Sequence, residues 1–514
     1  MMNAPKLKPS LQQAGFYDWV SNGKGSCVLE AVAGAGKTST LIESLSLMIG
    51  KIFLGAFNKN IAIEIAGRAG LRAGLEVATM HAAGFRAWKR VADRFVKVDG
   101  NKMREIFRTE SGRVDPGDCM FEQPVLQLVS LAKQAGIGIF NDIGFWPAWD
   151  DLVDHYNIEI FDERTGIDSR DHIIEMAMHM LHVSNKVCTS LIDFDDMIYA
   201  PLFNNVAFDK FDWVLIDEGQ DTNAIRRELA LRMMKPVSGR LVAVGDRHQA
   251  IYGFTGADSK ALDIIGNAVK ATRLPLTTTF RCPKSVVEYS QQWVNHINAA
   301  DSAPQGIVRH EDISKLHAEV QVGDVVLCRF NAPLIKNVYG LIARGIPARV
   351  EGREIGNGLK VLANRWKVKT IHALIDKLDE YFDREVKKLE AKENNKGIEA
   401  LTDKVECLKV IIQRVIDKGT ITQPPQLAVI DEIDAIFGKD DKDLERPVVL
   451  LSSIHRAKGR EWKKVIWLQT GPSPFAKLDW EIEQEDNLCY VAATRSMWEL
   501  VLMQVPKEVK KEKA

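Results

Sequence analysis

Short uninterrupted apolar runs alternate along the chain with longer stretches in which apolar residues recur every three or four positions. The runs cover 26–31, 51–56, 213–216, 241–244, 325–328, 448–451 and 465–468, and each stops abruptly at polar or glycine-rich residues. Strands buried on both faces read this way, and helical patterns between them predict parallel α/β sheets. The runs fall into two groups, before about residue 275 and after about residue 320, so two α/β domains are expected. In open sheets of this kind ligands sit at the carboxyl ends of the strands, which is where the polar residues gather here.

Two stretches lack the strand pattern. Residues 91–190 read as mostly helical. Within 353–445, Leu374, Leu378, Phe382, Val386 and Leu389 are followed, after Asn394-Asn395-Lys396-Gly397, by Ile398, Leu401, Val405, Leu408, Ile412 and Val415. That spacing with a glycine-containing break predicts a helical hairpin whose Lys/Glu-rich face is a solvated surface. Each α/β domain is therefore expected to be split by a mostly helical insertion. The first domain takes 1–90 with 191–273 around insertion 91–190, and the second takes 274–352 with 446–514 around insertion 353–445.

Composition narrows the classes. At 514 residues the chain exceeds what one core supports. Its 68 Lys+Arg against 69 Asp+Glu exclude a polybasic binder, so a nucleic-acid site must be a local groove. An apolar content of 46% excludes wholesale disorder. No apolar run approaches the roughly 18 residues of a membrane span, and the start, MMNAPKLKPSLQQ, has no apolar signal-peptide core. Seven scattered cysteines without a C-x-x-C pair argue against a disulfide scaffold or zinc site. A soluble, intracellular, cytoplasmic protein is expected.

The chemistry begins at Glu30-Ala31-Val32-Ala33-Gly34-Ala35-Gly36-Lys37-Thr38, followed by Ser39 and a helical run. Small residues between a strand and a helix let backbone N–H groups approach phosphate oxygens, the context of a P-loop. Lys37 would reach the β- and γ-phosphates, and the Thr38 hydroxyl would take a Mg²⁺ position. Ala31 departs from the usual pattern, standing where the first glycine of G-x-x-x-x-G-K-[ST] belongs. The motif alone says nucleoside triphosphate. A second strand, in FDWVLIDEGQD at 211–221, delivers two adjacent carboxylates to its end. A lone Asp-Glu pair reads as a solvated turn. Beside the Gly-Lys-Thr loop, Asp217 suits Mg²⁺ and Glu218 suits proton acceptance from an attacking water, which favours hydrolysis.

DEGQD at 217–221 and VGDRHQAIYGF at 244–254 resemble the D-E-x-Q-D and V-G-D-x-x-Q-S-I-Y-x-[FW]-R-G-A motifs of superfamily 1 helicases of the UvrD/Rep type. The likeness continues in family order. It takes in SLQQ at 10–13, AFNKNIA at 56–62, TMH at 79–81, DFDDM at 193–197, TFR at 279–281, SIHRAKGREW at 453–462 and NLCYVAATRS at 487–496. The segments at 56–62 and 245–254 look closest to the F-box DNA helicase branch, although no F-box segment is evident. The resemblance implies two RecA-like P-loop domains, ATP with Mg²⁺, and movement from 3′ to 5′ on single-stranded DNA with separation of tailed duplexes. It also implies work in DNA repair, recombination or replication, with recombination or replication proteins as partners.

By the same resemblance, Gln13 reads adenine, Phe280 stacks on the base and Glu461 contacts the sugar or the network around the nucleotide. Ala33, Gly34, Ala35, Gly36, Lys37, Thr38 and Ser39 cradle the phosphates. Gln249 senses the γ-phosphate, and Arg281 and Arg495 stabilise its developing charge, a contribution of about 10³–10⁵ in rate in arginine-finger systems. Phe57, Tyr252 and Phe254 are candidates for base stacking, with Thr79, His81 and His455 along the sugar-phosphate backbone. Thr255 stands where relatives often carry arginine, so one phosphate contact is expected to be missing. The insertion at 353–445 is shorter than the matching domain of large relatives. That leaves two alternatives to unwinding, a DNA-stimulated translocase that strips proteins and an ATP-gated DNA-binding scaffold.

Overall fold

The computed structural model describes residues 9–56, 58–70, 72–114, 121–156, 158, 161–162, 167–251, 260–391, 395–419, 423–437, 447–474, 476 and 478–505. The chain divides into two compact units between Thr278 and Thr279.

In the first unit a six-stranded sheet is formed by β1 (Cys27–Ala31), β2 (Ile52–Ala56), β3 (Leu75–Thr79), β4 (Trp213–Ile216), β5 (Arg240–Gly245) and β6 (Thr272–Leu276). Their order across the sheet is β6-β1-β5-β4-β2-β3, and every neighbouring pair is parallel. Residues of β1, β4 and β5 are almost wholly buried, which is why these segments are continuous apolar runs rather than alternating ones. Between β3 and β4 the chain leaves the sheet for helices Lys102–Val114, Glu122–Ala135, Trp146–Tyr156, Arg170–Val187 and Asp196–Phe203. Their apolar faces join Phe107, Val125, Trp149, Ile173 and Leu181 to sheet residues such as Val28, Phe53 and Val214 in one hydrophobic cluster.

A second six-stranded sheet is built from β7 (Ile307–Asp312), β8 (Val325–Cys328), β9 (Ala348–Val350), β10 (Val449–Ser453), β11 (Trp462–Gln469) and β12 (Ser496–Gln504). The order is β7-β12-β11-β8-β10-β9, again with all neighbours parallel. Helices Arg353–Ala363, Ile371–Ala391, Asn395–Asp417 and Pro425–Phe437 lie between β9 and β10 in the chain. Leu374, Leu378, Val405, Leu408, Ile412 and Val415 are buried in the same cluster as sheet residues Val326, Leu451 and Ile466. The hairpin spacing thus marks a real apolar face. Its second helix starts at Asn395, so Lys396 and Gly397 lie inside that helix rather than in the turn.

No helix among the described residues is long and apolar enough to cross a membrane.

Candidate nucleotide and strand-binding site

β1 ends at Ala31 and hands the chain to a glycine-rich loop. Gly34 and Gly36 take φ of 73° and 76°, the left-handed region that a side chain resists. Ala31 has no positive φ and belongs to the strand, so a Cβ is tolerated where the usual pattern has glycine. Ala33 and Ala35 are buried. Val32 N–H donates to the Leu276 carbonyl at 2.9 Å, tying the loop to the edge strand β6. Helix Lys37–Ser44 follows, with Gly36 as its N-cap.

Three neighbouring strands bring the chemistry together, because β1, β5 and β4 are parallel and end on the same side. Thr38 Oγ1 donates to Asp217 Oδ2 at 2.8 Å, and Lys37 Nζ lies 3.2 Å from Glu218 Oε2. Burial opposes charge on Lys37, but Glu218, Asp246 and Asp217 outweigh it and raise the ammonium pKa. Asp217 is pushed up to about 6, first by burial and then by Glu218 beside it. A buried carboxyl so disposed accommodates a cation readily. Glu218 itself has φ 54° and ψ 47°, a left-handed conformation rare outside glycine that turns the chain sharply after β4.

A residue to which sequence reasoning gave no role completes the array. The buried Gln220 donates from Nε2 to Glu218 Oε2 at 2.6 Å and accepts the Asp246 N–H at Oε1, 3.0 Å away. Asp246 Oδ2 in turn accepts from Gln249 Nε2 at 2.6 Å. Gln249 and Glu218 are therefore joined through Asp246 and Gln220. Gly245 is required here, since a Cβ would stand 2.3 Å from Gln220 Oε1. The glutamine of D-E-x-Q-D was the available signal.

Gln13 is bound within the fold: its amide accepts the Ser10 N–H at 2.9 Å and donates to Thr40 Oγ1 at 2.9 Å, locking the first helix onto the phosphate-loop helix. Ser39 Oγ accepts from Arg68 Nη2 at 2.7 Å.

In the second unit Arg281 pairs with Glu461 and donates to the Thr494 carbonyl at 3.4 Å. Arg495 is only 1% exposed and donates to the carbonyls of Val491 at 3.0 Å and Arg460 at 3.2 Å. Phe280 is 43% exposed.

On the strand track, Thr79 caps helix Met80–Trp88 by accepting the Ala82 N–H at 3.1 Å. Two residues after the cap, His81 shares a cleft with Asp217, Glu218, Asp221 and Arg226. Burial, helped by Arg226, lowers its pKa to about 4. In the second unit burial, with Arg329 and Lys458, lowers His455 to about 3. Both imidazoles are neutral at neutral pH. Phe57, Tyr252 and Phe254, and with them Thr255, lie outside the described residues.

DFDDM at 193–197 is mostly interior. Asp196 meets Lys102 at 2.6 Å and Lys133 at 2.7 Å, Lys133 meets Asp193 at 2.6 Å, and both lysine side chains are fully buried. Lys102 also donates to the Ser184 carbonyl at 3.0 Å.

Residues 148–269, which carry DEGQD and the Gln220–Asp246 link, match the UvrD/REP helicase N-terminal domain. By this match the chain is similar to helicases of the UvrD/Rep type. It is 26% identical over 278 residues to the ATP-dependent DNA helicase Rep of Buchnera aphidicola, covering 47% of this chain and 37% of that protein. A probable DNA helicase II homolog of Rickettsia conorii is 22% identical over 326 residues, 56% of this chain and 45% of its own. The F-box DNA helicase protein 1 of Schizosaccharomyces pombe reaches 34% identity, but over 125 residues, 22% of this chain and 13% of its own. The matches thus span less than half the length of these relatives.

Proposed function

We propose that this UvrD/Rep-type chain is an ATP-dependent DNA helicase, moving 3′ to 5′ along a single strand and separating tailed duplex DNA. The observation that carries the reading is the meeting of Lys37, Thr38, Asp217 and Glu218 at the ends of adjoining parallel strands. Its polarity rests on the resemblance to UvrD and Rep.

Lys37 binds the β- and γ-phosphates. Glu218 takes a proton from a water whose oxygen bonds to the γ-phosphorus as the bond to the β–γ bridging oxygen breaks, leaving ADP and phosphate. Gln220 holds the carboxylate of Glu218 in place for that transfer. Thr38 and Asp217 are hard oxygen donors suited to Mg²⁺, which supplies charge neutralisation on the phosphate oxygens when bound. Gln249 reports the γ-phosphate to Glu218 through Asp246 and Gln220. Gln13 and Phe280 are assigned to the adenine, Glu461 to the sugar or the network around the nucleotide, and Arg281 and Arg495 to the charge on the γ-phosphate. Thr79, His81 and His455 contact the strand as neutral hydrogen-bonding groups, while Phe57, Tyr252 and Phe254 stack on bases.

The test is ATP-dependent unwinding of matched 3′-tailed and 5′-tailed duplexes, with Lys37→Ala as control. Unwinding from the 3′ tail alone, lost in the control, is expected. Strand-stimulated hydrolysis without unwinding of either substrate makes the protein a translocase, and no stimulation by DNA makes it an ATP-gated scaffold. Unwinding that persists in Lys37→Ala defeats the scheme.

A further inference from the structure

The helix that begins with Thr79 and His81 leads away from the nucleotide to a surface that no motif covers. His81, Phe85 and Lys89 are spaced four apart and share one side of helix Met80–Trp88 and its cap, while Ala83, Ala87 and Trp88 are buried on the other. Eight residues of helix carry this side about 12 Å, the reach of a short run of nucleotides. Beyond the helix lies an open hollow lined by Phe85, Lys89, Asp93, Arg94, Phe95 and Lys97. Lys89 Nζ sits 4.6 Å from the centre of the Phe85 ring and the Arg94 guanidinium 5.4 Å from that of Phe95.

The neighbouring cations are already neutralised: Arg86 pairs with Glu76, Arg90 with Asp209, and Lys97 with Asp99. Lys89 and Arg94 have no carboxylate partner among the described residues. Phe95 is 84% exposed, with Lys89 and Arg94 within the same lining. An exposed ring beside unpaired cations is the arrangement that holds a single nucleic-acid strand, with a base on the ring and phosphates on the cations. A duplex fits less well, because its bases already stack on one another and offer no free face to Phe95.

We propose that Phe95, Lys89 and Arg94 form a second contact for single-stranded DNA, continuing the track from His81; this rests on the DNA-motor reading above. Asp93 is the one carboxylate of the lining without an assigned cation, and it opposes an anionic strand.

The test is fluorescence anisotropy of labelled oligo-dT, one oligonucleotide too short to reach the hollow and a series of longer ones, with wild-type protein and surface variants. Phe95→Ala is expected to weaken binding of the long oligonucleotides by about 5- to 150-fold, the loss of one stacked base, and to leave the short one and DNA-free ATP hydrolysis unchanged. Lys89→Ala with Arg94→Ala is expected to reduce the slope of log K against log salt by about 1.4, for two lost phosphate contacts on a single strand. Asp93→Asn is expected to tighten the long oligonucleotides. Equal loss at all lengths, or no change in any variant, overturns the proposal, and the latter leaves the surface to a protein ligand. If the wild-type protein binds none of the oligonucleotides, the DNA-motor reading itself fails.

Discussion

Replacing Lys133 by methionine probes a charged cluster in the interior. The ammonium is fully buried and serves Asp193 at 2.6 Å and Asp196 at 2.7 Å. Methionine keeps most of the volume but leaves the two carboxylates with only Lys102, so the buried cluster passes from neutral to one net negative charge. Breaking a buried pair from one side costs about 3–5 kcal/mol, because the remaining charge has neither water nor a partner. Adding Asp193→Asn restores neutrality, and the amide oxygen can still accept the Asp196 N–H that Asp193 Oδ1 accepts at 2.8 Å. The double variant is therefore expected to be more stable than the single one by about 2 kcal/mol, a sign that additive effects cannot produce. Native-state hydrogen exchange of peptides from helix Glu122–Ala135 reads this locally, which suits a chain of two units. A loss below about 1 kcal/mol in Lys133→Met, or a double variant weaker than the single, refutes the reasoning.

Glu218→Gln is expected to retain ATP binding while turnover falls by about 10²–10⁴, measured as DNA-stimulated phosphate release; wild-type turnover removes Glu218 as proton acceptor. Asp195 is pushed up to about 6 by burial and by Asp193. The folded state therefore holds its proton more tightly than the unfolded chain, so this stabilisation is full below about pH 4 and lost as pH rises through about 6. It amounts to at most about 3 kcal/mol, and Asp195→Asn is expected to flatten that part of a urea-midpoint-against-pH curve. The Arg240 guanidinium lies 4.3 Å and 4.1 Å from the rings of Trp19 and Trp213 and donates to the Gly25 carbonyl at 2.8 Å. Arg240→Ala is expected to cost about 1–3 kcal/mol in denaturant titration; an effect within 0.5 kcal/mol, a threshold set by the usual scale of surface substitutions, dismisses the contact.

Most strands buried on both faces were legible, interior β12 being the exception. β1, β2, β4, β5, β8, β10 and β11 all correspond to continuous apolar runs. The strands that escaped include every edge: β6 and β3 in the first sheet, β7 and β9 in the second. An edge strand packs on fewer neighbours and tolerates Pro275 in β6 or the charged Ile307–Asp312 stretch, so no unbroken run announces it. The phosphate loop and the Asp-Glu pair were readable because their chemistry is local in sequence. Lys102 and Lys133 were not. Each reads as an ordinary helix-surface lysine, and the aspartates that bury them lie 60 and 94 positions away. Gln220 stood in a recognised motif, yet only the fold shows which two groups it joins.

The order of the first sheet also sets a schedule for making the protein. β1, which launches the phosphate loop, pairs only with β5 and β6. A chain leaving the ribosome residue by residue thus releases the phosphate loop long before either strand neighbour of β1 exists. At about 5–20 residues per second, roughly ten to fifty seconds separate β1 from the strand that clamps Val32. Until β5 emerges, Cys27–Ala31 has neither neighbour, although β2 and β3 can already pair. Nascent chains interrupted before Leu276 are expected to leave the phosphate loop unclamped, and translation speed between β3 and β6 bears directly on how much protein escapes aggregation.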